Sequence, residues 1–265
     1  MNSVLGVVAA VLHGLLMPVA GLLLVGLEAR ARALLQGDAG PSVLLPLRAM
    51  GPLLRKRRVR AEAASILAGM APVLVFAATW AAAFLVPSFS REMALAGTGD
   101  LVAVAGLLML GRLLGAVLAG GIADPVALLA EPALLLAAFG LAAGGAAGPV
   151  GVAGLALAGM AVGGSRISDG ASGSDLALLQ AAAGLRRLVL FSAVVLAVPG
   201  VPGGVEWWAP GLLLWGAIVG MLAIGLAVAE VAWAPWRPAR RREGVLAGLV
   251  LAGVAVLLGL AECVP

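Results

Sequence analysis

Cysteine occurs once in the 265 residues, at Cys263, so no internal disulfide and no cysteine metal cage can form. Histidine also occurs once, at His13. With no second ligand near it in sequence, it reads as a hydrogen-bonded packing residue and not a metal ligand. Charged residues make up 11% of the chain, whereas soluble domains carry about a quarter. Such a sequence cannot clothe a water-soluble surface. Aromatics are scarce at 4%, and no P-loop, dinucleotide fingerprint, zinc motif or nucleophile elbow is present. No motif for a flavin, haem or iron–sulfur cluster is present either, so a redox centre would have to sit on another chain.

What is present is hydrophobic: 63% of the residues, with a mean hydropathy of +1.13. The 38 glycines, with much alanine and leucine, predict an all-α polytopic bundle whose transmembrane helices pack through small residues. Eight spans can be counted, at about Val4–Leu27, Ile66–Val86, Leu101–Gly120, Val126–Ala143, Val150–Val162, Leu176–Val198, Leu212–Ala232 and Val245–Leu260. The spacings Gly111…Gly115, Gly140…Gly144…Gly148 and Gly216…Gly220 read as packing positions. The first span has no basic region before it and positive charge after it, which predicts a retained anchor.

Charge sets the expected topology. Residues 28–60 hold eight of the seventeen lysines and arginines. If that loop is cytoplasmic, it and the 121–125, 165–187 and 234–243 segments collect fifteen of the seventeen. Both termini are then extracytoplasmic, and the whole chain, 1–265, is one transmembrane domain of an inner membrane. Trp207 and Trp208 fall at the outer interface, and Trp233 and Trp236 at the inner one. The basic pI of about 10.9 reports this topology and not nucleic acid, because no recognition module accompanies it.

Two sets of residues could carry function. Arg112 lies roughly 12 Å inside the third span and Glu131 roughly 9 Å inside the fourth, so adjacent antiparallel helices would bring them to similar depth. They are expected to form a buried ion pair or share a polar path. The second set is the loop itself, GPSVLLPLRAMGPLLRK, where apolar and basic residues alternate between Gly-Pro breaks. That pattern favours a folded, amphipathic docking segment over charge that touches only lipid phosphates. Glu28 and Glu230 lie near helix ends, where side chains can snorkel to water. Asp169 and Asp175 fall in a Gly/Ser-rich, mobile-looking stretch of the 165–187 loop.

At these residues the chain resembles the membrane-anchor subunit shared by respiratory complex I and the group 4 membrane-bound nickel–iron (NiFe) hydrogenases, including formate hydrogenlyase. The matching residues are Glu28, Arg30 and Arg32 after the first span, Gly40-Pro41, and the basic patch Pro52-Leu53-Leu54-Arg55-Lys56. Arg112 in GRLLGAVLAG and Glu131-Pro132 in EPALLLAAFG are similar to the hydrogenase branch, as is ALLQAAAGLRRLVLFSAVVLAVP. The resemblance implies a subunit that docks a soluble electron-transfer arm through Glu28, Arg30, Arg32, Gly40, Pro41, Arg48, Arg55, Lys56, Arg57 and Arg58. It implies as partners a hydrogenase-like large subunit, a small iron–sulfur subunit and an antiporter-like membrane subunit, besides membrane lipid. NiFe and iron–sulfur centres would belong to those partners and none to this chain; whether a quinone binds near them stays open.

The family's acidic loop between the fifth and sixth spans, proline-phenylalanine-aspartate followed by glutamates, is reduced here to GGSRISDGASGSD. The serine-arginine-glutamate stretch before the fourth span is replaced by Asp124-Pro125. These departures bear on proton coupling and leave the anchor role intact. A stand-alone transporter and a purely structural scaffold are the alternatives; the first lacks a supporting internal repeat.

Overall fold

The computed structural model describes residues 2–58, 66–86, 88, 101–118, 132–133, 135–137, 151, 171–196, 208–232 and 238–263. The regular elements among them are all helical: α1 Asn2–Leu35, α2 Leu45–Arg55, α3 Ile66–Leu85, α4 Leu101–Leu118, α5 Gly173–Leu196, α6 Trp208–Ala232 and α7 Pro238–Cys263. Four of these hold stretches long and apolar enough to cross a membrane, at Ala10–Leu35, Gly173–Val195, Pro210–Ala232 and Glu243–Ala261. Gly69–Leu85 and Ala103–Gly115 are shorter apolar stretches in α3 and α4. The fourth and fifth expected spans lie almost wholly outside the described residues, as do Trp207, Trp233 and Trp236.

The first helix does not stop at Leu27. Its 34 residues extend about 51 Å, well beyond the roughly 30 Å of a bilayer core. EARARALL is rich in strong helix formers, and Glu28 meets Arg32 one turn on, so the charged segment continues the helix. A Schellman ending then stops it: the Asp38 N–H donates to Ala33 O at 2.9 Å and the Gly37 N–H to Leu34 O at 3.2 Å. Gly37 supplies the left-handed turn, with φ of 87°.

Open carbonyls explain how α1 and α3 recognise each other. Pro18 has no N–H to give the carbonyl of Gly14, four residues earlier. That carbonyl accepts instead from Trp80 Nε1 of α3, at 3.0 Å. Ala83 lies in the last turn of α3, whose carbonyls have no intrahelical partner, and its carbonyl accepts from His13 Nε2 of α1, at 2.7 Å. Since a carbonyl only accepts, the His13 proton sits on Nε2. Each helix thus satisfies a carbonyl that the other leaves open, one at a proline and one at a helix end. Trp80→Phe should therefore lower stability by about 1–3 kcal/mol, the cost of a buried unsatisfied carbonyl. Thermal unfolding in detergent would register it, whereas the exposed Val11→Ala should leave the midpoint unchanged.

The chain divides into two compact units. The first comprises Met1–Val86, Met93–Ala123 and Arg166–Val189. In it, Val75 of α3 packs with Leu179 and Ala182 of α5, flanked by Phe76, Leu114 and Ala171. Gly111 of α4 is set against Val75 and Thr79 of α3, the packing role its spacing implied. The second unit comprises Pro87–Glu92, Asp124–Ser165 and Leu190–Pro265. There Trp215 Nε1 of α6 donates to Ser192 Oγ at the end of α5, at 3.1 Å. On α7 the buried positions are Val245, Gly248, Ala252, Ala255 and Gly259, a three-four alternation of mostly small residues suited to close helix packing. Gly216, by contrast, lies on an exposed face of α6 with open space around it, so it is not a packing contact here.

Candidate functional site

The 165–187 segment is mainly not a loop: residues 173–187 form most of α5. Ser172-Gly173-Ser174-Asp175 is the spacing of a helix start, serine followed three residues later by an acid ahead of an apolar run. Asp175 in the first turn also suits the helix dipole. Once started, α5 is buried almost all round, from Ala177 to Val195. Arg186 and Arg187 lie more than three turns inside it.

Arg187 lies where Glu28 can reach. Glu28 is 1% exposed, so it does not snorkel to water; its carboxylate pairs with Arg187 Nη1 and, at 3.6 Å, with Arg32 Nη2. Its burial is tolerable because two guanidiniums replace the lost hydration. Below this cluster α1 and α5 approach at backbone distance: a Cβ added at Gly21 would stand 2.7 Å from the Leu185 amide nitrogen. One at Gly184 would stand 2.7 Å from Gly21 O.

A second contact joins α5 to the far end of the basic loop. Arg58 Nε donates to Ser174 Oγ at 2.8 Å and lies 3.1 Å from Asp175 Oδ1. Gly173, at φ of 56°, lets the chain of Lys56 and Arg57 rest on it; a Cβ there would stand 2.6 Å from Arg57 O. The pair is partly exposed, 42% at Arg58, so it contributes at most about 1 kcal/mol of stability. Its effect is positional.

Between these anchors the chain folds back on α1. Gly40 sits against Arg30 and Ala33, and Val43 O crosses where Gly26 leaves room. Pro41 is half-buried. The amphipathic α2 follows. Pro46, Ala49, Met50 and Leu53 form its half-buried face, while Arg48 and Arg55, two turns apart, share the opposite, exposed face. Lys56, Arg57 and Arg30 are exposed as well. The outcome is a strap, residues 36–58, laid against α1 in its first half, held by α5 at its end and carrying its cations outward.

Of the other expected pair, Arg112 is buried in α4 at 7% exposure, and Glu131 lies outside the described residues. Asp169 and Arg60 lie outside them too. Sequence reasoning missed Arg187 as the counterion of Glu28, and Ser174 and Asp175 as the seat of Arg58. The Ser-x-x-Asp spacing was the available signal for the second.

No family description matches the sequence, and no curated protein does. The fold does have a counterpart. A chain of the membrane-bound sulfane sulfur reductase, an archaeal respiratory membrane complex, matches with a TM-score of 0.65 at 14% identity, over 96% of this chain and 99% of that one. The two chains share a fold. The match runs nearly end to end, and the four long apolar helices among the described residues fit a membrane protein.

Proposed function

We propose that the chain is the membrane-anchor subunit of a hydrogenase-like or complex-I-like oxidoreductase and that the strap docks the soluble electron-transfer arm. The observation that carries this reading is the strap's anchoring, against α1 at Gly40 and Val43 and on α5 at Arg58, which leaves Arg48, Arg55, Lys56 and Arg57 exposed together. Solvated charge that served topology alone would need no such anchoring. The fold shared with a respiratory-complex chain supports the same assignment.

The partners in this reading are a large hydrogenase-like subunit, a small iron–sulfur subunit and an antiporter-like membrane subunit, in an inner membrane. Metal centres stay on those partners. Any proton movement through this chain would rest on Arg112 and Glu131, since Asp175 is engaged by Arg58.

Changing Arg48, Arg55, Lys56 and Arg57 together to glutamate should cut the iron–sulfur protein recovered with the purified chain by about tenfold or more, with membrane insertion unchanged. Undiminished recovery would remove the strap from the interface. Purification of the native chain with no redox protein at all would favour a transporter instead.

A further inference from the structure

Strap and helix meet through two unrelated kinds of contact at one point. Arg58 engages Ser174 and Asp175 by charge and hydrogen bond. Beside it, the carbonyls of Lys56 and Arg57 turn in toward the bare Cα of Gly173, where a Cβ would come within 2.8 and 2.6 Å of them. Turning the carbonyls inward leaves both side chains exposed. We propose that the first turn of α5, Gly173-Ser174-Asp175, is a positioning element for the docking strap. It fixes the outward presentation of Arg55, Lys56 and Arg57, so that an acidic protein surface meets a preformed set of cations.

This inference rests on the docking role proposed above. Its physical basis is preorganisation: a strap already ordered loses little freedom when the partner arrives, so more of the electrostatic attraction survives as affinity. Because the clasp is partly exposed, its loss releases the strap and leaves the buried remainder of α5 in place. Asp175 then acts through Arg58 on the neighbouring cations and touches neither partner nor cofactor.

Two lesions of different chemistry test it. Asp175→Asn removes the charge; Gly173→Ala removes the space. Limited trypsin digestion of the purified chain reads the strap at Arg55, Lys56 and Arg57, and recovery of the iron–sulfur arm from membranes reads docking. Each variant should raise the cleavage rate about fivefold or more with helix content unchanged, since cleavage follows local opening. Each should lower arm recovery to a similar degree. The exchange Arg58→Asp with Asp175→Arg should restore both readouts, which a simple loss of folding would not allow.

Unchanged cleavage in Asp175→Asn, or no rescue by the exchange, overturns the clasp. Faster cleavage with full arm recovery overturns its part in docking. Failure of the docking reading itself is separately visible, as undiminished arm recovery in the fourfold glutamate variant. Should Gly173→Ala not fold, Asp175→Asn and the exchange decide alone.

Discussion

Glu28→Ala lowers the stability of the chain by about 3–5 kcal/mol, because it strands the Arg187 guanidinium in a protein interior with its counterion gone. Glu28 is shut off from solvent, and the partner side chain is 14% exposed, so water compensates little. Arg32, at 34%, can turn outward and is spared. Removing both charges should be far milder: Glu28→Met with Arg187→Met should recover most of the loss, since apolar side chains of similar volume often replace a buried pair at no net cost. Thermal unfolding in detergent of the two single variants and the double variant makes the comparison. A double variant as damaged as Glu28→Ala would mean that the two residues do not act as a pair.

The second large effect comes from volume. Gly184→Leu has no direction in which to place its side chain, because the backbone of α1 occupies the space beside it. Overpacking of this kind costs about 1–3 kcal/mol when neighbours can yield, and more when the obstacle is main chain. Even Gly184→Ala and Gly21→Ala should each lower the unfolding midpoint measurably. Combined, they should cost less than their sum, because one displacement of α1 from α5 relieves both clashes. Wild-type midpoints for the two single variants would contradict the close crossing.

The helices themselves were largely legible. Apolar runs placed the starts of α3 and α4 at the observed residues and those of α5 and α6 within a few, and the amphipathic pattern of residues 44–55 announced α2. The end of α1 and the start of α7 were missed because charge was read as loop; arginine, glutamate and alanine are good helix formers whether or not lipid surrounds them. The pairings were not legible at all. Glu28 and Arg187 are 159 positions apart, and Arg58 and Ser174 are 116 apart. Local periodicity carries no information over such distances. Gly21 and Gly184 show why small-residue spacing misleads: neither belongs to the spaced sets, yet each meets the other's backbone, while the spaced Gly216 meets nothing. Asp175 looked like an isolated acid because its counterion lies in another segment.

The crosswise bonds of Trp80 and His13 have a consequence for biogenesis. The N-terminal helix emerges from the ribosome and reaches the lipid before its neighbour, with the carbonyl of Gly14 exposed to hydrocarbon. The later helix arrives with the Ala83 carbonyl of its last turn also lacking an intrahelical partner. Neither is a comfortable solitary resident of the bilayer, so the nascent hairpin leaves the insertion machinery most favourably as a joined couple, and truncation after the first segment yields a poorly retained fragment.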